Sequence, residues 1–155
     1  MKFRLFRDED ATEVAAVIAR TLREVNSRDY SSEYIEADVA ALSADELRKR
    51  AAWTHFYVAE EAERIIGCGA IGPYWGKQDE SSLFNIFVLP EYHGRGVGRA
   101  IIETLEKDEF FRRAKRIEIP ASITAAPFYR HMGYDYKNGV TEPDEEQLLR
   151  LEKYN

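Results

Sequence analysis

The segment 83–99 has the sequence LFNIFVLPEYHGRGVGR, which predicts a buried strand, a glycine-rich turn and the start of a helix. The first N–H groups of a helix have no intrahelical partner, and the helix dipole adds partial positive charge there. Glycines at alternate positions permit positive φ and leave room for a phosphate group. Arg95 and Arg99 supply charge-assisted hydrogen bonds. The segment therefore predicts an anion site rather than an ordinary corner between a strand and a helix.

Two common phosphate-binding patterns fit this segment poorly. A nucleoside-triphosphate loop needs a lysine after its last glycine, and none follows here. The dinucleotide fingerprint needs a small third residue, where this chain has Arg99 or Ile101, depending on the starting glycine. Glu118 does stand twenty residues after Gly98, as that fingerprint requires. A dinucleotide-binding module therefore stays open as a weaker alternative, and it predicts binding of NAD but not of CoA.

Two motifs carry a resemblance to a known family. The stretch PEYHGRGVGRAIIETLE (residues 90–106) resembles the coenzyme-A loop of the GCN5-related N-acetyltransferase (GNAT) superfamily, whose pattern is [QR]-x-x-G-x-[GA]. Gly96 and Gly98 match, and His93 stands where the family usually has Gln or Arg. Downstream, ASITAAPFYRHMGYDY (residues 121–136) resembles the family's A-x-x-FY-x-x-x-G-[FY] segment. Two motifs in the right order are more specific than either alone.

The resemblance implies a fold, a cosubstrate and a set of site residues. The fold is the acyl-CoA N-acyltransferase (GNAT) fold, an α/β fold whose mixed central β-sheet is flanked by helices. The cosubstrate is acetyl-CoA. Its pyrophosphate would bind the loop formed by His93, Gly94, Arg95, Gly96, Val97, Gly98 and Arg99. Its pantetheine arm would pair with the backbone of Phe87 and Val88 and touch Ser122. Tyr129 would be the general acid that protonates the leaving thiolate, although Phe128 and Tyr129 are alternatively plain core aromatics.

The order of predicted elements agrees with this plan. They run β-α-α-β-β-β-α-β-α-β-β, with a further short helix over Ser43–Ala52. Asp10 and Glu13 predict a capping box on a first helix that ends near Asn26. The helix after the glycine loop is expected to end near Arg113. A short strand starting at Arg116 is expected to stop at Pro120.

Size and composition define the class of protein. We expect one domain over residues 1–155, because a chain of this length buries one core. The start alternates apolar and charged residues, so we expect no targeting signal. A single cysteine, Cys68, excludes an internal disulfide and favours the cytoplasm; we interpret it as core filler. A net charge of −6 argues against nucleic acid and mildly favours an amine partner. No membrane span or metal site is predicted. A homodimer is expected only because members of the resembled family often form one.

The general base is the least determined part of the site. Some family members carry a glutamate eleven residues before the loop's Gln or Arg position, where this chain has Ser82. The remaining candidates are a water chain and the side chains of Glu80, Asp29, Glu33 and His93. Our leading hypothesis is an acetyl-CoA-dependent N-acetyltransferase acting on a primary amine of a small molecule or peptide. A non-catalytic acyl-CoA-binding or regulatory domain is the alternative that Ser82 keeps open.

Overall fold

The computed structural model describes all residues from Met1 to Asn155. A seven-stranded sheet has the strand order β1-β2-β3-β4-β5-β7-β6. The strands are β1 (Lys2–Leu5), β2 (His55–Glu61), β3 (Arg64–Pro73), β4 (Glu80–Val88), β5 (Arg116–Ser122), β6 (Asp135–Tyr136) and β7 (Leu148–Tyr154). Only β4 and β5 pair in parallel, and the other neighbours are antiparallel. The mixed α/β sheet expected from the sequence is confirmed.

Helices cover both faces of the sheet. They are α1 (Ala11–Glu24), α2 (Ser32–Ala41), α3 (Ala44–Ala51), α4 (Val97–Glu106), α5 (Glu109–Arg112) and α6 (Ala126–His131). On one face, Gly67 and Gly69 lie against Ile101 of α4 so closely that an added Cβ would be 3.1 and 2.8 Å from its side chain. Alternate residues point to the other face, where Arg50 of α3 lies over Phe84. Because α1 contacts α2 and α3, these three helices form the layer on that face.

The two parallel strands separate soon after they meet. The β4–β5 pairing covers only three residue pairs, ending at Ser82 with Glu118. Beyond that point β4 contains a bulge opposite Cys68–Ala70, and Asn85 adopts a φ of 52°. A bulge bends its strand and increases the local twist. Strand β5 continues, paired with β7 alone, to Ser122. A fork therefore opens between β4 and β5, and the glycine-rich loop follows at the end of β4.

The start of α1 corrects the predicted capping box. Asp10 does not cap the helix; its carboxylate instead accepts two hydrogen bonds from the Arg4 guanidinium, at 2.8 and 2.9 Å, and one from the Arg7 N–H. Glu13 accepts from the Ile65 N–H on β3 at 2.9 Å. A tertiary partner of opposite charge competes better for a carboxylate than a local N–H does. The helix ends at Glu24, two residues before the predicted end.

Two other predicted boundaries were wrong for identifiable reasons. The helix after the glycine loop ends at Glu106, because Asp108 accepts from the Phe110 N–H and starts a separate short helix. Strand β5 passes through Pro120, which pairs with Arg150. Pro120 lies beyond the last pair with β4, so the strand has a neighbour on one side only, where a residue without an N–H is tolerated.

No helix of the structure is both long enough and apolar enough to span a membrane.

Candidate functional site

The loop that follows β4 presents six consecutive N–H groups without a partner. From Gly94 to Arg99, none donates a hydrogen bond to another group of the protein, and the ladder of α4 starts with the Ala100 N–H on the Gly96 carbonyl at 3.0 Å. Gly94 and Gly96 have φ values of 75° and 80°, and no atom lies within 4 Å of a Cβ built on either. Backbone donors at a helix N-terminus, on an open surface, form a cradle for an anion.

Gly98 has a different role from the other two glycines. A Cβ on Gly98 would lie 3.2 Å from Cζ of Phe128, and Phe128 precedes Tyr129 on α6. Gly98 therefore permits close packing between the start of α4 and α6. This contact joins the two sequence motifs, which are separated along the chain, into one site.

The two arginines of the loop carry positive charges that no carboxylate of the protein neutralises. Arg95 and Arg99 are exposed and form no ion pair, and the Arg95 guanidinium lies 5.2 Å from the centre of the Tyr92 ring. The nearby carboxylate of Glu91 accepts from Arg20 at 2.9 Å and Arg64 at 3.2 Å, and the hydrogen bond from Arg20 lowers the pKa of Glu91 to about 2. Because Glu91 already has two cations, both loop arginines remain available to an anionic ligand.

Strand β4 brings the predicted pantetheine residues to the fork. Phe87 and Val88 pair with Cys68 and Gly67 of β3 on one side, and no strand pairs with them on the β5 side. The Val88 carbonyl accepts from His93 Nε2 at 2.7 Å and from the Thr21 hydroxyl at 3.2 Å. The His93 N–H donates to Pro90, so only Nδ1 of this residue remains for a ligand. The loop is thus tied to the end of the strand.

Tyr129 lies in the core, yet its hydroxyl is unengaged. The side chain is 5% exposed, and the hydroxyl forms no hydrogen bond within the protein. Since every fully buried polar side-chain atom has a partner, the hydroxyl is reached by solvent. Burial raises the pKa of Tyr129, and the neighbouring Cys68 adds to the rise. The phenol therefore keeps its proton at neutral pH and is able to donate it.

Two hydrogen bonds hold the segment that joins β5 to α6, the helix that carries Tyr129. Ser122 Oγ accepts from the Ala125 N–H at 3.1 Å, and its own proton remains free for a ligand. The Tyr30 hydroxyl accepts from the Ile123 N–H at 2.8 Å and donates to the Gln147 carbonyl at 2.7 Å. Tyr30 thereby connects the segment after α1 to the residue that follows β5 and to the residue that precedes β7. Cys68 is fully buried, consistent with core filler, and burial raises the pKa of Cys68 to about 12.

Most of the carboxylates considered as general bases are already engaged. Glu80 accepts from Arg116 at 2.9 Å, and Asp29 accepts from the Thr124 hydroxyl at 2.8 Å. Ser82 is buried and donates to the Leu83 carbonyl. Glu33 is exposed on α2.

The structure adds a carboxylate that the sequence did not suggest. Asp38 is half-buried on α2, has no hydrogen-bond partner, and burial raises the pKa of Asp38. In the sequence, the only sign of this position is that Asp38 stands four residues after Tyr34, a spacing that places both residues on one face of a helix.

Glu118 is not available to a ribose. Its carboxylate is buried at the fork, where it binds the Arg116 guanidinium and accepts from Lys137 Nζ at 2.8 Å. The acidic residue of a dinucleotide site has to reach the ligand instead. This arrangement removes the remaining sequence support for the dinucleotide alternative. No group of three His, Cys, Asp or Glu side chains is placed to hold a metal ion.

Comparisons with known proteins agree with this geometry. The model of the acetyltransferase (GNAT) domain family matches residues 52–136. The uncharacterized N-acetyltransferase YafP of Escherichia coli K12 is 28% identical over 134 residues, which are 86% of this chain and 81% of that protein.

Solved structures share the fold along nearly the whole chain. The PaiA N-acetyltransferase of Thermoplasma acidophilum, solved in complex with coenzyme A, superposes with a TM-score of 0.84 at 18% identity, covering 99% of this chain and 98% of that one. A GCN5-related N-acetyltransferase of Rhodopseudomonas palustris gives 0.80 at 26% identity, covering 99% and 95%. Because the family model covers more than half of the chain, and both motifs meet at one fork, this protein belongs to the GNAT family of acetyltransferases.

Proposed function

We propose that this protein is an acetyl-CoA-dependent N-acetyltransferase that acts on a primary amine of a small molecule or peptide, by direct transfer in a ternary complex. The observation that carries the proposal is the row of six unpartnered N–H groups in the loop, next to the unpaired edge of Phe87 and Val88. A pyrophosphate at the loop and a pantetheine arm along that edge would lead the thioester to the fork. We identify this ligand as acetyl-CoA because structures of similar fold were solved in complex with CoA or acetyl-CoA.

The proposed chemistry uses few protein groups. The amine nitrogen attacks the thioester carbonyl, the C–N bond forms, the C–S bond breaks, and CoA leaves as a thiolate. Tyr129, with its free hydroxyl, protonates that thiolate. Binding energy from the diphosphate positions the reacting carbon, which is catalysis by orientation. The amine loses its proton to water or to a carboxylate on the α1–α3 face.

Calorimetric titration with acetyl-CoA, CoA, NAD and ATP tests the cofactor. We expect saturable binding of acetyl-CoA and CoA alone. The Gly96→Glu variant puts a carboxylate into the cradle and should abolish that binding. Gly76→Glu is the matched control, because Gly76 has a φ of 75° and open surroundings as well, so both variants carry the same backbone strain. Absence of CoA binding in the unchanged protein would overturn the proposal.

A non-catalytic acyl-CoA-binding domain remains the second candidate, because the candidate bases Glu80 and Asp29 are engaged and Ser82 is no base. The Tyr129→Phe variant separates the two. An enzyme should lose turnover by about 10²-fold or more, in the range of general acid catalysis, with unchanged affinity for acetyl-CoA. A protein that binds acetyl-CoA but releases no CoA with any amine tested is the non-catalytic domain.

A further inference from the structure

Arg50 on α3 is a cation without a counterion. Every other half-buried or buried basic side chain pairs with a carboxylate. Arg50 instead donates one hydrogen bond from Nη1 to the amide oxygen of Asn85, at 3.1 Å. Its guanidinium carbon lies 4.5 Å from the centre of the Phe84 ring and 5.4 Å from that of Trp53. A guanidinium carries five donors, so most of them remain unused.

The surroundings of Arg50 form a cavity at the bulge of β4. Its volume is about 190 Å³, and its lining includes Leu42, Leu47, Trp53 and Asn85. Glu46 also lines it, but Glu46 pairs with Lys49 at 3.1 Å. Burial lowers the pKa of Arg50, because the cation has lost water and the charge of Glu46 offsets only part of that loss. The aromatic faces offset part of that cost. A bound anion would offset the rest.

Asp38 on α2 is the corresponding anion without a counterion. Every other half-buried or buried carboxylate has a basic or hydrogen-bonding partner. Burial raises the pKa of Tyr34 to about 12, and the negative charge of Asp38 contributes to that rise. Tyr34 and Asp38 are four residues apart on one face of α2, and Leu42, the residue that follows the end of this helix, lines the cavity of Arg50.

Both groups connect to the proposed transfer site. The Asn85 side chain binds Arg50, while its main-chain carbonyl accepts from the Cys68 thiol, which neighbours Tyr129. On the β5 side, Tyr30 stacks on Tyr34 with ring centres 4.4 Å apart, and the Tyr30 hydroxyl holds the N–H at the end of β5. Arg50 therefore lies beside β4 beyond its last pair with β5, and Asp38 lies on α2 near Tyr30 and Tyr34, whose pKa values its charge raises.

We propose that the acyl acceptor is a zwitterionic amine, whose anionic group, a carboxylate or a phosphate, binds Arg50 and whose ammonium group binds Asp38. This inference rests on the proposed acetyltransferase function and names its substrate class. Arg50 and Asp38 do not pair with each other, so a ligand with both charges satisfies two desolvated groups at once. A polyamine or a simple alkylamine leaves Arg50 unpaired and meets a positive charge there.

Pairs of acceptors that differ only in the anionic group test this assignment by release of CoA thiol. The carboxylate arm compares leucine, phenylalanine and β-alanine with their amides, and the phosphate arm compares O-phosphoethanolamine with ethanolamine. A thiol reagent detects only CoA, because Cys68 is fully buried. We expect the anionic member of at least one pair to react with the higher kcat/KM. The arm that responds identifies the anion.

Variants of the two residues show whether recognition depends on them. Arg50→Gln should raise KM for the anionic acceptor about tenfold or more, as for loss of charge-assisted hydrogen bonds, and leave its neutral partner within about twofold. Asp38→Asn should weaken both members of the pair. Arg48→Gln, on α3 but outside the cavity lining, and Glu36→Gln, an exposed change on α2, are the matched controls. An equal loss for both members in Arg50→Gln would show a structural role for Arg50 and overturn the inference.

A binding measurement keeps this test separate from catalysis. Trp53 is 48% exposed and lies over Arg50, and Trp75 is the other tryptophan. In a Trp75→Phe background, Trp53 fluorescence should respond to the anionic acceptors, less to their neutral partners, and not at all after Arg50→Gln. No response to any anionic acceptor overturns the inference, whatever the catalytic result. Absent acetyl-CoA binding with an intact Trp53 response would instead overturn the proposed function and leave Arg50 as a binding site for a zwitterion that is not acetylated.

Discussion

Gly98 and Phe128 pack so closely that a side chain at position 98 would have to displace the ring: a Cβ on Gly98 would lie 3.2 Å from Cζ of Phe128. We expect Gly98→Val to lower the free energy of unfolding by about 1–3 kcal/mol, as overpacking does. The measurement is denaturant unfolding. Phe128→Ala in the same chain should recover part of the loss, which gives a double-mutant cycle. Additive effects of the two changes would mean that the ring does not limit position 98.

The carboxylate of Asp108 joins strand β2 to the start of α5. It accepts from His55 Nδ1 at 2.8 Å, from the Tyr57 hydroxyl at 2.6 Å and from the Phe110 N–H at 2.8 Å, and it is buried. Asp108→Ala should therefore cost about 2–4 kcal/mol of unfolding free energy, through three lost hydrogen bonds and a lost cap. Asp45→Ala, an exposed acidic residue in the first turn of α3, should cost less than about 1 kcal/mol. Similar losses of unfolding free energy in both variants would contradict this role of the Asp108 carboxylate.

The contact between Arg4 and Asp10 makes the free energy of unfolding depend on pH in the acidic range. Hydrogen bonds from Arg4 lower the pKa of Asp10 below its usual value of 3.8. Because this pKa is depressed, the stabilisation of the fold by the ionised Asp10 is complete above pH 4 and is lost as the pH falls through the folded-state pKa. Asp10→Asn should reduce stability at pH 7, and its difference from the unchanged protein should shrink below pH 4. A difference that stays constant down to pH 2 would refute the coupling. Thermal unfolding as a function of pH measures it.

Arg99, exposed and unpaired at the first turn of α4, should contribute to cofactor affinity through charge. Arg99→Gln should raise the Kd for acetyl-CoA about three- to tenfold, as for one charge-assisted contact, and should reduce the dependence of Kd on salt. Arg112→Gln, an exposed change on α5, is the control. Calorimetry at two salt concentrations measures both effects. Equal Kd values for Arg99→Gln and the control would exclude a contact at this position.

Local patterns predicted much of the fold because they depend on neighbours in the chain. The apolar run before Pro90, the alternating glycines and the helical stripe that starts at Val97 are local signals, and the structure has a strand, a turn and a helix there. Two errors depended on contacts outside the predicted segment, and a third, the early end of α4, came from the local cap that Asp108 provides to α5. Asp10 pairs with Arg4 instead of capping a helix, and Pro120 is tolerated because β4 has already separated from β5.

The sequence by itself determined the α/β plan and the strand, glycine turn and helix of the loop, because glycine torsions and helix ends are properties of short segments. The roles of the loop and of Tyr129 stay predictions from the family motifs. Only the tertiary structure decided which groups lack a partner. Arg50 and Asp38 look like ordinary surface charges in the sequence, and their desolvation without a counterion arises from the packing of α2 and α3 on the sheet. Burial and pairing are properties of distant contacts, and these exist only in the folded chain.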